Sequence, residues 1–133
     1  MLAAGPARRI GFVSTRFQGT DGVTLEARKW AAILQGLGHS CFWMAGLIDA
    51  PAGISHHAPL ASFNHPEVLA VQGRIFGVTR RPPEVTREIH SLRERLKADL
   101  YAFIHRYQLE VLIPENILAI PMHVPLGLAM TEV

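Results

Sequence analysis

The sequence contains a single cysteine, Cys41, among 133 residues. One cysteine excludes an internal disulfide framework and any zinc site built from several cysteines. No apolar run approaches the roughly 18 residues that a membrane-spanning helix needs. The apolar run at residues 10–13, which follows the N-terminal arginines, is too short for the hydrophobic region of a signal peptide. We therefore expect a cytoplasmic protein without a spanning segment.

The sequence also has little excess charge. Thirteen lysines and arginines face 11 aspartates and glutamates, which leaves a net charge of +2. Most of the basic residues between positions 80 and 97 alternate with acidic ones, as expected for a solvated helix face. A nucleic-acid interface would concentrate basic residues on one face, so we expect no nucleic-acid partner. A hydrophobic content of 49% excludes a disordered chain.

The first half of the sequence predicts one βαβ unit. Residues 9–14 and 40–47 are short apolar runs of the kind that form strands buried on both faces of a parallel sheet. Between them, apolar residues recur at helical spacing from Val23 to Leu37 and include Trp30. Thr20 or Asp21 can cap the start of this helix, and Gly38 can end it in a left-handed conformation.

The second half predicts a long helix and a third strand. Residues 49–66 read as an irregular loop, and a short helix follows from Pro66 to about Phe76, with a break at residues 77–83. Residues 84–107 carry one apolar seam, residues 111–113 form a strand, and Pro121 or Pro125 opens a last helix. The sequence therefore predicts an α/β fold: a Rossmann-like parallel sheet of about three strands in the order 2-1-3, with flanking helices.

The loop between the first strand and the first helix is a candidate binding site. Ligands of open α/β sheets bind at the carboxyl ends of the strands, at the switch point of the strand order. Gly19 and Gly22 precede a helix N-terminus there, where backbone amides can hold an anion. The same residues could instead form only a tight turn and a helix cap. Asp49 ends the second strand, but without a glycine fingerprint it does not indicate a nicotinamide site.

Three polar residues near the third strand are further candidates. Glu115 and Asn116 follow that strand at the ligand edge, where a carboxylate and an amide could bind sugar hydroxyls. Alternatively, Asn116 belongs to a turn and Glu115 is solvated. His123 could act as an acid/base or sugar-binding group, or it could be a partly buried loop histidine.

We expect no metal site. His56, His57 and His65 share one loop, but they have no cysteine partner and form no helical His-Glu-x-x-His motif. Ser14 and Ser40 lack a Gly-x-Ser-x-Gly elbow, and Cys41 lies within an apolar strand, so no nucleophile stands out.

Four segments carry a family resemblance. Residues 9–22, Arg-Ile-Gly-Phe-Val-Ser-Thr-Arg-Phe-Gln-Gly-Thr-Asp-Gly, resemble the opening of the retaining glycosyltransferases of GT-B architecture, family 4. Residues 34–39, Leu-Gln-Gly-Leu-Gly-His, are similar to the Leu-x-x-x-Gly-His-x-Val pattern common in that family. Residues 111–116 and 120–132 resemble the third-strand region and the following helix of one bacterial branch.

The resemblance implies a hexosyltransferase. Such enzymes have two Rossmann-like domains: the N-terminal one holds a sugar or lipid acceptor, and the C-terminal one binds the nucleotide sugar. Transfer retains the anomeric configuration and needs no cofactor and no metal. By position, Gly19, Thr20, Asp21 and Gly22 match the first loop, which approaches the donor diphosphate. Glu115, Asn116 and His123 fall in the acceptor-side region.

The sequence departs from the family in one respect. Residues 1–133 correspond to part of the N-terminal domain only, so the donor pocket and its Glu-x7-Glu signature are absent. We expect an incomplete GT-B domain that is inactive alone. A non-catalytic α/β binding or interaction module, completed by a partner chain, is the alternative. In either case a dimer or a partner chain would cover the open sheet edge.

Overall fold

The computed structural model of the chain describes residues 5–75, 82–117 and 123–133. These residues form six strands and four α-helices, with two single turns of 3₁₀ helix at Ala52–Ile54 and Pro59–Ala61. The strands are β1 (Arg9–Val13), β2 (Arg16–Phe17), β3 (Ser40–Ala45), β4 (Leu47–Ile48), β5 (Ser55–His57) and β6 (Val111–Pro114). The helices are α1 (Gly22–Gly36), α2 (Pro66–Gln72), α3 (Pro83–Tyr107) and α4 (Val124–Glu132). None of the described helices has the length and hydrophobicity that crossing a membrane requires.

The main sheet is parallel and has the order β5-β3-β1-β6. The three strands predicted from the sequence are β1, β3 and β6, and their order, 2-1-3, is confirmed. The α/β fold with a parallel sheet and flanking helices is confirmed as well. Beyond the end of β1, the short strands β2 and β4 pair separately.

The strand count was too low, because β5 lies in the segment predicted to be an irregular loop. Its three residues, Ser-His-His, carry no hydrophobic alternation. The strand forms because its backbone pairs with β3 and because the Tyr107 hydroxyl donates a hydrogen bond of 2.9 Å to the Ser55 carbonyl. These partners are 12 or more residues away in sequence, so a local pattern does not reveal them.

Helix α1 is capped as predicted, but its apolar stripe is only partly buried. The Asp21 side chain accepts a hydrogen bond from the Thr24 amide at the start, and Gly38 has a φ of 97° after the end. Ala27 and Ala31 face the sheet, whereas Trp30 is 49% exposed. The small alanines allow a close approach between helix and sheet, and the large side chains on the neighbouring face remain outside. Trp30 and Leu37, which belong to the predicted apolar stripe, are therefore exposed.

Helix α3 buries the predicted seam completely. The seven seam residues are all buried: Val85, Ile89, Leu92, Leu96, Leu100, Phe103 and Tyr107. They form one core with α2, α4 and one face of the sheet, while α1 forms a second core on the other face. Pro125 lies in the first turn of α4, whereas Pro121 and Phe76 lie outside the described residues, as does most of the predicted break at 77–83.

Candidate functional site

A cleft of about 480 Å³ opens at the carboxyl ends of β1 and β6. One wall is the loop from β1 to α1 together with the first turn of α1, and Asn116 after β6 belongs to the other. From β1 the chain crosses to β3 on one side, while β6 lies on the other side, so the cleft occupies the switch point of the sheet. Its lining residues are Ser14, Thr15, Arg16, Asp21, Gly22, Val23, Phe63 and Asn116.

Hydrogen bonds among Gly19, Arg28 and Asp49 fix the glycine loop, and we call these three residues the buttress. Gly19 has a φ of 72°, and its amide donates a hydrogen bond of 2.9 Å to Oδ2 of Asp49. The Arg28 guanidinium donates to Oδ1 of Asp49 at 2.6 Å and to the Gly19 carbonyl at 3.3 Å. The hydrogen bond from the Gly19 amide lowers the pKa of Asp49 most, and the positive charge of Arg28 lowers it further. Desolvation acts in the opposite direction and is outweighed. The Gly19 amide therefore already serves a carboxylate of the protein.

Asp21 connects the loop, the helix cap and the cleft. Its Oδ1 accepts from the Thr24 amide at 2.9 Å, and its Oδ2 accepts from Nε of Arg16 at 3.0 Å. Desolvation raises the pKa of Asp21, but the hydrogen bonds from Thr24 and the nearby Arg16 outweigh it and place the pKa below the ordinary value of 3.8. Asp21 is therefore ionised at neutral pH, and its charge is balanced by Arg16.

The two loop glycines have different roles, which a pair of substitutions tests. Gly19 occupies the left-handed region, so we expect Gly19→Ala to cost about 1–2 kcal/mol of unfolding free energy. Gly22 begins α1, and a Cβ there would meet no atom within 4 Å, so we expect Gly22→Ala to be neutral or to stabilise by up to about 1 kcal/mol. Urea denaturation of both variants gives the comparison. An equal loss in both would contradict the assignment.

Glu115 and Asn116 form the opposite side of the site. The Glu115 amide donates to the Val13 carbonyl at 2.8 Å, and the Ser14 hydroxyl donates to the Glu115 carbonyl at 3.0 Å, so β6 is tied to the end of β1. Burial raises the pKa of the half-buried Glu115 carboxyl, and the negative charge of Glu26 raises it further. Asn116 has a φ of 55° and lines the cleft.

The six loop and strand-end residues predicted for the site all lie at this edge of the sheet, at different distances from the cleft. Asp21, Gly22 and Asn116 line it. Gly19 is hydrogen-bonded to Asp49 and does not line the cleft, and Glu115, whose amide is hydrogen-bonded to Val13, precedes Asn116 without lining the cleft itself. Thr20 is exposed at the tip of the loop and does not line the cleft, and the capping role open to it belongs to Asp21.

His123 lies in the core, away from the cleft lining. It is only 2% exposed and caps the start of α4. The Leu126 amide donates to Nδ1 at 3.1 Å, so Nε2 carries the proton and donates to the Leu60 carbonyl at 2.8 Å. Both ring nitrogens are engaged, which favours the buried structural histidine over an acid/base or sugar-binding group. The burial is deeper than the sequence predicted.

The burial of His123 makes stability depend on pH. Desolvation lowers the pKa of His123 below 6.5, so the unfolded chain binds a proton more readily than the folded one. We expect the unfolding free energy to be highest above pH 6.5 and to fall as the pH drops below this value. His56 contributes in the same direction. Urea denaturation across this range should show a weaker pH dependence for His123→Asn than for the wild type; equal slopes would contradict the assignment.

The described residues contain no group of three or more histidine, cysteine, aspartate or glutamate side chains arranged to hold a metal ion. His57 donates from Nε2 to the Gly46 carbonyl at 2.8 Å, and the Nδ1 of His65 accepts from the Glu67 amide at 3.2 Å. These histidines therefore serve the folding of their loop.

Five cleft residues were not singled out from the sequence: Ser14, Thr15, Arg16, Val23 and Phe63. Ser14, Thr15 and Arg16 directly follow β1 and belong to the strand end that the sequence predicted as the ligand edge, but none of them was named as a site residue. Phe63 follows β5 in the chain and lines the cleft. Its position depends on how β5 is placed, and the sequence did not predict that strand.

Comparison of the chain with protein-family models, with curated proteins and with solved structures finds no match.

Proposed function

We propose that this chain is the acceptor-side portion of a retaining glycosyltransferase of GT-B architecture, family 4. One observation carries most of the proposal: a cleft large enough for a sugar ring lies at the switch point of a parallel sheet, between the loop before α1 and the residue after β6. The sequence resemblance identifies the same loop and the same strand end. Nucleotide sugar would be the donor, with a sugar or a lipid as the acceptor.

In this function the chain binds and orients one substrate. Thr15 and Asn116 present polar groups to the cleft, and the buttress of Arg28, Asp49 and Gly19 fixes its loop wall. Among the described residues, no histidine or cysteine lines the cleft, and the Asp21 carboxylate is engaged by Thr24 and Arg16. A group that attacks or protonates the donor is therefore expected from the donor-binding domain or from the substrates themselves.

Transfer requires both substrates to be held in register. Orienting two reactants in one site accounts for about 7–11 kcal/mol of a barrier in favourable cases. A chain that binds only the acceptor lacks this contribution. We therefore expect the 133-residue chain to bind an acceptor without transferring sugar to it.

A transfer assay tests the proposed function. The chain is assayed alone, and then tethered to the donor-binding domain of a family 4 enzyme, with a panel of nucleotide sugars and neutral glycosides. We expect turnover only from the tethered protein, with products that retain the anomeric configuration. Turnover by the chain alone, or products of inverted configuration, would contradict the proposal.

A non-catalytic interaction module is the second candidate, and the outer face of α1 favours it. The α1 patch, which consists of Trp30, Ile33 and Leu37, is exposed, and Val111 on the edge strand β6 is 40% exposed. Exposed apolar side chains, and a sheet edge that no other described strand covers, are each typical of surfaces that bind another chain. If this function is correct, we expect sedimentation experiments to show a dimer for the wild-type chain and a monomer for Trp30→Lys. A monomeric wild type that binds glycosides would favour the transferase.

A further inference from the structure

The charges around the cleft do not favour an anionic ligand. Arg16 and Asp21 form an ion pair at 3.0 Å in the lining, so together they contribute no net charge. Glu115 directly precedes Asn116 of the lining, and Glu26 lies about one helical turn after Gly22 on α1, where its charge raises the pKa of the Glu115 carboxyl. Arg28 is paired with Asp49. The described charges near the cleft therefore sum to a negative value, which repels a phosphate or a carboxylate.

The backbone groups that could hold a phosphate are partly occupied as well. The Gly19 amide donates to Asp49, and the Thr24 amide in the first turn of α1 donates to Asp21. Two carboxylates of the protein thus take positions that a ligand phosphate would need at a glycine loop and a helix N-terminus. An incoming anion would have to displace them and approach their charges.

The unoccupied groups of the cleft fit a neutral ligand with several hydroxyls. In the described part of the chain, neither the Thr15 hydroxyl nor the Asn116 side-chain amide makes a hydrogen bond. A hydroxyl and an amide each offer both a donor and an acceptor, as hydroxyl recognition requires. Phe63 and Val23 add apolar wall against which the C–H groups of a sugar ring can pack.

We propose that the cleft binds a neutral pyranoside and discriminates against the same sugar carrying a phosphate. Thr15 and Asn116 hydrogen-bond to its hydroxyls, Phe63 packs against its ring, and the negative charges of Glu115 and Glu26 disfavour anions. The identification of this pyranoside as an acceptor rests on the proposed function, whereas the binding itself does not. The donor diphosphate is then held by residues outside this cleft.

Calorimetric titration of the 133-residue chain tests the inference. The probes are methyl α-glucoside, methyl α-mannoside, methyl α-galactoside, glucose 6-phosphate and inorganic phosphate. We expect at least one neutral glycoside to bind at least about tenfold more tightly than glucose 6-phosphate, and inorganic phosphate not to bind. Phosphate binding that matches or exceeds glycoside binding would overturn the inference, as would the absence of binding by every neutral glycoside.

Three variants assign the roles. Thr15→Val removes the hydroxyl at nearly constant shape, and Asn116→Gly removes the amide while accommodating the positive φ. Each is expected to weaken glycoside binding about tenfold. Asp21→Asn keeps a good helix cap but removes the negative charge, so glucose 6-phosphate should gain affinity relative to the neutral glycoside. Circular dichroism confirms that each variant is folded. Unchanged glycoside binding in both Thr15→Val and Asn116→Gly would overturn the assignment.

The two proposals fail separately. Selective glycoside binding without any transfer by the tethered protein would remove the proposed function and leave the binding inference intact. Transfer by the tethered protein, together with tighter binding of phosphate than of glycosides, would support the proposed function and overturn the binding inference.

Discussion

Replacing Gly46 with alanine is expected to cost about 3 kcal/mol or more of unfolding free energy. Gly46 is buried after β3, and a Cβ at this position would lie well inside van der Waals contact of the backbone nitrogen and Cα of Ser62. Backbone atoms cannot move aside as the end of a flexible side chain can, so the loss should reach the upper end of the range for overpacking. The total stability of a domain is only about 5–15 kcal/mol.

The same close contact positions one wall of the cleft. Ser62 precedes Phe63, and the Gly46 carbonyl accepts a hydrogen bond from Nε2 of His57. If the strand is pushed away from Ser62, Phe63 shifts with it, and glycoside binding should weaken in any Gly46→Ala protein that still folds. The matched control is Gly53→Ala, since a Cβ at Gly53 meets no atom within 4 Å. Urea denaturation that shows the same small change for both variants would contradict this packing.

The second large effect is expected for Phe103→Ala. Phe103 is fully buried on α3, and its ring lies against Gly11 of β1, where a Cβ would come within 2.8 Å of it. It also packs edge-on to Tyr107 with ring centres 5.8 Å apart. Removal of a buried phenylalanine side chain costs about 3–5 kcal/mol, because the transfer free energy is lost and a cavity remains.

Tyr101→Ala is the matched control for Phe103→Ala. Tyr101 is an aromatic residue of the same helix, two positions away and 44% exposed. Its replacement should change the unfolding free energy by about 0.5 kcal/mol or less. Thermal and urea denaturation of both variants measure the difference. A loss at Tyr101 as large as that at Phe103 would mean that α3 presents a different face to the sheet.

Helix α3 and the strand order were predictable because each depends on a pattern that the sequence carries locally. Seven apolar residues at steps of three and four can face one core only as a helix, and all seven are buried. The short apolar runs of β1, β3 and β6 carry the signal of doubly covered strands. Their connection by helices then restricts the order in the sheet.

Other features depend on distant contacts, and here the sequence was insufficient. Strand β5 forms because β3 and Tyr107 provide partners, and its own residues give no sign of it. In α1, Trp30 has the spacing of a buried residue, but the alanines of the helix decide which face meets the sheet.

The place of the site follows from topology, whereas its composition does not. The carboxyl ends of β1 and β6 are where the sequence predicted the ligand edge. That Phe63 joins the lining, and that Asp49 occupies the Gly19 amide, depends on how the loops after β5 and β4 pack. The Gly19 amide, which the sequence suggested for an anion, already donates to Asp49. We therefore expect a neutral ligand at this loop rather than a phosphate.

Chemical-shift mapping of the ¹⁵N-labelled chain with the tightest-binding methyl glycoside tests the central claim most directly. We expect the largest changes at the amides of residues 14–23, at Phe63 and at residues 115–117, with little change at Glu67, Glu88 or Leu92 in the groove between α2 and α3. Changes centred on that groove, or a bound glycoside that leaves residues 14–23 unperturbed, would contradict the assignment of the cleft as the sugar-binding site.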